Sequence, residues 1–352
     1  MKNRLLLRSL LLLLLALSTL AAQQFGMLPY YFALFHQNKE RHLLRQITAQ
    51  HTPKRPETLK VALFTDVDAH AVIPLKTARS IYEVPLQLER AGLGKLLTRE
   101  LELTSAEPDL SDWQELVARI RAPRPELEIA IVGQYTELPD AYISVSEALK
   151  HAALHHNVEV KVRWIRSEHL ERIEPEQVAD ELAGVAGVLV PGGFGYRGVE
   201  GKIRAIRWAR RNNIPYLGLC LGLQCAVIEF AREALGTDDA NSSEFNVFTE
   251  HPVIDLMPDQ ADVTDKGGTM RLGLYPARLE EGSKVREAYG SEIAYERHRH
   301  RFEVNNAYRD RLDAAGMRFS GVSPDGRLVE YIELRDHPWF VATQAHPELK
   351  SR

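Results

Sequence analysis

From residue 128 onward the apolar positions fall into two alternating patterns. Glu128-Ile-Ala-Ile-Val-Gly133, Ala186-Gly-Val-Leu-Val190 and Ile214 to Leu219 are short, nearly unbroken apolar runs that stop at a turn, as strands buried on both faces do. Val158-Glu-Val-Lys-Val-Arg-Trp-Ile165 alternates and predicts a further strand. Between these runs, Tyr142 to Ala153, Val178 to Ala183 and Lys202 to Asn212 carry apolar residues at helical spacing. Strand and helix in alternation predict an α/β fold: an open, mostly parallel sheet flanked by helices in three layers. Loops that do chemistry are then expected at the C-terminal ends of the strands. After Gly236 the pattern shortens to small strands and turns.

The first part of the chain is organised differently. Leu59-Lys-Val-Ala-Leu-Phe-Thr65 reads as a short buried strand, and Arg90-Ala-Gly-Leu-Gly94 as a helix stop. Glu107-Pro-Asp and Ala122-Pro-Arg-Pro-Glu126 bracket an amphipathic helix around Trp113 to Ile120, so residues 106–127 read as a linker between 59–105 and a larger domain at 128–352. Lys2, Arg4 and Arg8 precede an apolar run from Leu10 to Ala22. That has the shape of a secretory signal and is short for a membrane span. It is either a true signal or anchor, or an aberrant segment in front of a cytoplasmic protein, and the second is the expectation. Residues 23–58 show no usable periodicity.

Composition narrows the classes. A chain of 352 residues with a net charge of −4 has no electrostatic reason to bind nucleic acid. Its two cysteines, Cys220 and Cys225, are too few for a zinc site and badly placed for a disulfide with each other, which suits a reducing compartment.

One of these cysteines is a candidate nucleophile. In Tyr216-Leu-Gly-Leu-Cys-Leu-Gly-Leu-Gln224, Cys220 stands between Gly218 and Gly222 where a predicted strand turns into a helix. Such a turn presents sulfur at a helix N-terminus, where thiolate is favoured. A side chain in place of either glycine would block the substrate or clash in the turn. The bland alternative is a buried structural cysteine in a tight turn. Phe340-Val-Ala-Thr-Gln-Ala-His-Pro-Glu348 supplies what a nucleophile needs: His346 as base and Glu348 to orient it, with a proline fixing the backbone between them. Val190-Pro-Gly-Gly-Phe-Gly195 ends another predicted strand and offers, with Leu221, backbone N–H groups for an oxyanion. Arg297-His-Arg-His-Arg301 alternates, putting three arginines on one face and His298 and His300 on the other. Two histidines without a third ligand do not make a metal site, and none is expected. Cys225, a turn into the helix, reads as core.

Gly218-Leu-Cys-Leu-Gly222 together with Gln344-Ala-His-Pro-Glu348 resembles the class I glutamine amidotransferases, and the flanking text is closest to the CTP synthase family within them. Val190 to Ile203, Gln224 to Arg232, Ala240 to Phe245, Gly267 to Gly273, Glu296 to Asn306 and His337 to Phe340 carry that resemblance. It implies glutamine hydrolysis to glutamate and ammonia, with Cys220, His346 and Glu348 catalytic. It implies glutamine contacts from Gly193, Leu221, Gly222, Leu223, Gln224, Glu244 and Arg301. Ser80-Ile-Tyr-Glu-Val-Pro-Leu86 matches the end of the family's synthetase domain, so residues 59–105 look like a remnant of it. The chain has no glycine-rich phosphate loop ending in Gly-Lys-Ser or Gly-Lys-Gly. ATP and magnesium would therefore belong to a synthetase domain supplied elsewhere, by a partner or an intact CTP synthase, and no cofactor is expected here. Gln134, Ala345 and Leu349 depart from the family's usual lysine and two aromatics, which predicts looser packing around His346. Two other readings remain open: a γ-glutamyl hydrolase, and a non-catalytic module that regulates an intact synthase.

Overall fold

The computed structural model describes residues 56–256 and 270–351. The signal-like segment, residues 23–55 and Gly267 to Thr269 lie outside the described residues. The chain divides into two compact units, Met1–Val117 and Ala118–Arg352, with the division inside one helix.

Among its described residues the first unit is helical: α1 (Pro56–Thr65), α2 (Val84–Arg90), α3 (Leu93–Glu100) and the start of α4 (Ser111–Arg121). The strand expected at Leu59 to Thr65 is therefore helix instead. A strand must pair its backbone groups with a neighbour, and the described part of this unit holds no sheet. Within the helix Thr65 Oγ1 donates to the Val61 carbonyl at 2.7 Å.

In the second unit β1 (Glu126–Gly133), α5 (Ile143–His155), β2 (Glu159–Arg166), α6 (Ser167–Leu170), α7 (Pro175–Leu182), β3 (Gly187–Val190), α8 (Val199–Arg211), β4 (Tyr216–Leu219) and α9 (Leu221–Leu235) alternate as the pattern predicts. Then come β5 (Asn241–Ser242), β6 (Pro252–Leu256), β7 (Arg271–Leu279), α10 (Lys284–Tyr289), β8 (Ile293–His300), β9 (Phe302–Val304), α11 (Arg309–Ala314), β10 (Met317–Val322), β11 (Val329–Leu334) and β12 (Phe340–Thr343). The main sheet has the order β2-β1-β3-β4-β12-β11-β10-β7-β8. It is parallel from β2 to β12 and continues antiparallel from there, while β5-β6-β9 form a small second sheet.

The central strands bury both faces. Ala130, Val132, Val188 and Val190 point into the core under α7, α8 and α9, and the residues between them, Ile131 and Leu189, pack with Tyr142 and Val145 at α5. Leu223, Val227 and Ile228 of α9 are fully buried in the first core, and each such side chain contributes about 1.5–3 kcal/mol. That packing holds the N-terminus of α9 against the ends of β3 and β4, where the chemistry is expected.

Candidate active site

Register brings the distant motifs together. Leu219 at the end of β4 lies opposite Thr343 at the end of β12, and Val190 at the end of β3 opposite Gly218. The residues that follow, Cys220, Gln344 and Pro191, therefore emerge side by side at the C-terminal edge of the parallel strands. The Cys220 N–H donates to the Thr343 carbonyl at 2.7 Å, which ties the turn to β12.

Cys220 has φ 53° and ψ −101° and caps α9, a conformation that costs a side-chain-bearing residue roughly 1–3 kcal/mol and recurs at functional turns. The glycines around it are fixed by close approach. A methyl group at Gly222 would lie 2.2 Å from the Val190 carbonyl oxygen, and one at Gly218 would lie 2.7 Å from the Gly222 backbone. So the clash in the turn accounts for both flanking glycines. Gly192 matters for the partners: a methyl there would lie 2.8 Å from His346 Cε1 and 3.6 Å from Cys220 Cβ.

His346 leaves β12 with its N–H donating to the Arg297 carbonyl of β8 at 2.8 Å. Pro347 starts a 3₁₀ turn, Pro347–Lys350, that folds Glu348 back so that its carboxylate is 2.8 Å from His346 Nδ1. The imidazole also hydrogen-bonds the Cys220 side chain. Burial alone would drive the His346 proton off, but the bonds to Cys220 and Glu348 outweigh it and carry the imidazole up to about 10. Sulfur, imidazole and carboxylate thus form one chain of contacts. Burial pushes the Cys225 thiol up to about 12, in keeping with a core residue.

The other predicted residues sit around this chain. Leu221 and Gly222 open the first turn of α9, whose leading N–H groups have no partner within the helix. Leu223 is fully buried and belongs to the main core, so only its backbone faces the site. Gln224 spends its amide nitrogen on the Phe302 carbonyl at 3.0 Å. Gly193 stands against Leu221, and a methyl on it would be 3.1 Å from Leu221 Cδ2. Glu244 accepts from the Gly195 N–H at 3.4 Å. Burial raises its carboxyl, and the Gly195 N–H and the Arg301 charge pull the other way. Arg297 and Arg299 are exposed, but β8 ends at His300, so Arg301 leaves the row of arginines and is half-buried. His298 and His300 point into a buried ionic cluster. Arg271 bonds Glu330 at 2.8 Å and Glu303 at 3.2 Å, and His300 bonds Glu303 at 2.8 Å. Burial and the Arg271 charge push His298 down to about 2. Among the described residues no group of three His, Cys, Asp or Glu is arranged to hold a metal ion.

One residue near the site gave no signal in the sequence. Lys202, on an amphipathic helix, is 1% exposed, and its ammonium donates to Gln134 Oε1 at 2.8 Å. Gln134 Nε2 in turn donates to the Phe194 carbonyl at 3.0 Å, so this departure from the family braces the glycine loop. Leu349 is 52% exposed, so it is not part of the packing that looser placement of His346 would require. A cavity of about 300 Å³ lies behind the loop, lined by Tyr135, Tyr142, Gly192, Gly193, Phe194 and Glu348. Cys220 does not line it.

The family model for glutamine amidotransferase class-I matches residues 137–352. A CTP synthase of Roseiflexus sp. (strain RS-1) is 61% identical over 294 residues, covering 83% of this chain and 52% of the relative. Another, from Chloroflexus aurantiacus (strain ATCC 29366 / DSM 635 / J-10-fl), is 60% identical over 293 residues, covering 83% and 53%. The chain thus spans about half the length of the curated relatives it matches. The solved glutaminase domain of Trypanosoma brucei CTPS, with bound acivicin, superposes with a TM-score of 0.60 at 40% identity, over 63% of this chain and 86% of that one. By a match that takes in more than half of its residues, the chain belongs to the class I glutamine amidotransferase family.

Proposed function

We propose that this chain hydrolyses glutamine to glutamate and ammonia, and that it is the ammonia-supplying half of a CTP synthase. The observation that carries the reading is His346 held between Cys220 and Glu348 at the edge of the parallel strands. The Cys220 sulfur attacks the carboxamide carbon, and the oxyanion is received by backbone N–H groups of Leu221 and Gly193. Each donor of that kind is worth about 10²–10³ in rate. The C–N bond breaks as His346 gives the proton taken from the thiol to the departing nitrogen, which leaves as ammonia while the glutamyl group stays on the sulfur as a thioester. Water, with its proton taken by His346, then attacks the thioester and releases glutamate and the thiol. Glu348 keeps the imidazole aimed throughout. Gly222, Leu223 and Gln224 line the substrate's side of the first helical turn, and Glu244 and Arg301 read its ammonium and carboxylate ends. All of these steps use side chains and backbone of this chain.

Ammonia would pass to a synthetase domain that aminates UTP. The alignment with the Roseiflexus relative, at 294 residues, is longer than the 137–352 match and so reaches into the helical unit before it. This supports reading residues 59–105 as the end of such a domain and 106–127 as the linker. Among the described residues before 118 there is no strand to carry a phosphate loop, which supports placing ATP and magnesium in a synthetase domain supplied elsewhere. No step through them is derived.

The purified chain, given glutamine, ATP and UTP, is expected to release ammonia and glutamate and form no CTP. CTP formation by the chain alone would contradict the division of labour. Faster cleavage of γ-glutamyl peptides than of glutamine would turn the assignment to a γ-glutamyl hydrolase.

A further inference from the structure

One side chain beside Cys220 has no task in this mechanism. Gln344 follows the last residue of β12, is fully buried, and has its amide nitrogen 3.8 Å from Cys220 Sγ. The direction of that amide is set by its neighbour. Gln224 Nε2 donates to the Phe302 carbonyl at 3.0 Å, and a carbonyl can only accept. The same nitrogen donates to Gln344 Oε1 at 3.4 Å. With its oxygen engaged there, Gln344 turns its N–H₂ group toward the sulfur. On another side the sulfur faces the Arg299 carbonyl oxygen at 3.9 Å, an acceptor that favours the protonated thiol. The amide is the opposing donor, and a donor favours the charged form.

We propose that Gln344 is a further catalytic group, whose side-chain N–H bonds to the Cys220 sulfur and stabilises the attacking thiolate, and that Gln224 is the positioning residue that fixes the direction of that amide. The inference rests on Cys220 being the nucleophile. The titratable and charged groups tied to the sulfur are His346 in contact with it, Glu348 behind His346, the buried His298 of β8 beside His346, and Arg299, whose carbonyl faces the sulfur. All of them stay in place in the variants below, so a change in thiol titration reports the amide.

The test is the pH dependence of Cys220 alkylation by iodoacetamide in the full chain, with the site assigned by fragmentation mass spectrometry, because Cys225 shares its peptide. Gln344→Leu should raise the midpoint by about one pH unit, which leaves about tenfold less thiolate at neutral pH. Its kcat for glutamine should fall in proportion while KM holds. Gln344→Glu, nearly the same shape, puts a carboxylate at the sulfur and should raise the midpoint further. Gln224→Leu, which acts on the sulfur through Gln344, should move it in the same direction by less. Thermal unfolding of each variant identifies the folded ones. If Gln344→Leu does not fold, Gln344→Met, which also lacks an N–H and is closer in shape, takes its place. An unchanged midpoint in a folded Gln344 variant overturns the proposal. Alkylation needs no glutamine turnover, so a shifted midpoint in a protein that fails to hydrolyse glutamine would sink the glutaminase reading and leave this one standing.

Discussion

His346 holds its proton because the bonds to Cys220 and Glu348 outweigh the burial that opposes it, and this links the site to stability. Its folded value, about 10, is above the 6.5 of a free imidazole. The stabilisation is then complete below about pH 6.5 and is lost as pH rises through about 10. Removing one of the two partners in Glu348→Gln should cost about 1–3 kcal/mol at pH 6.5, since each tenfold loss of proton affinity is worth about 1.4 kcal/mol. The gap between wild type and variant in urea unfolding should close by pH 10.5, and a gap that stays constant with pH contradicts this. Residues such as Cys220, His346 and Glu348 were legible in the sequence because nucleophile chemistry demands particular types beside glycine and proline. Gln344, Gln134 and Lys202 were not, since what gives each its role is a partner far away in the chain. Lys202 has the spacing of a surface lysine, and only the fold shows its ammonium against Gln134.

The turn from β4 into α9 is the element on which the site depends. Gly222 lies in the first turn of α9 with the Val190 carbonyl where its side chain would be. Alanine is the better helix former by about 1 kcal/mol, yet here it must push two backbones apart, and overpacking of this kind costs about 1–3 kcal/mol. Gly222→Ala should lower the thermal midpoint and also slow glutamine hydrolysis, because Cys220 moves with the turn. Gly236, with φ 66° at the other end of α9 and open space around it, is the control: alanine there should cost about 1 kcal/mol and leave turnover unchanged. A stabilised or fully active Gly222→Ala, measured by thermal unfolding and ammonia release, contradicts the account. At this scale the parallel strands of the second unit and the helices between them could be read from period, because β3 and β4 are sealed on both faces and β2 alternates. Leu59 to Thr65 could not. A short apolar run looks the same in a strand and in a helix, and the described part of that unit has no sheet to decide for a strand.

The molecule as a whole joins a unit that is helical among its described residues to an α/β unit whose parallel strands all release their loops at one edge. Alternation predicted that edge as the place for chemistry. It gave no warning of the antiparallel half of the sheet, where His298 and His300 close a buried ionic cluster instead of facing a ligand. Order across that half depends on pairings between strands such as β7 and β10 that no local pattern announces. The central claim is that three side chains drawn together at this edge open a carboxamide through sulfur. Its most direct test is an acid quench of the chain during turnover of labelled glutamine, followed by mass spectrometry of the Cys220 peptide. A glutamyl thioester on Cys220 that is absent in Cys220→Ala, together with loss of ammonia release in that variant, is the predicted result. Ammonia release that persists in Cys220→Ala, with no adduct on the wild-type sulfur, would contradict it.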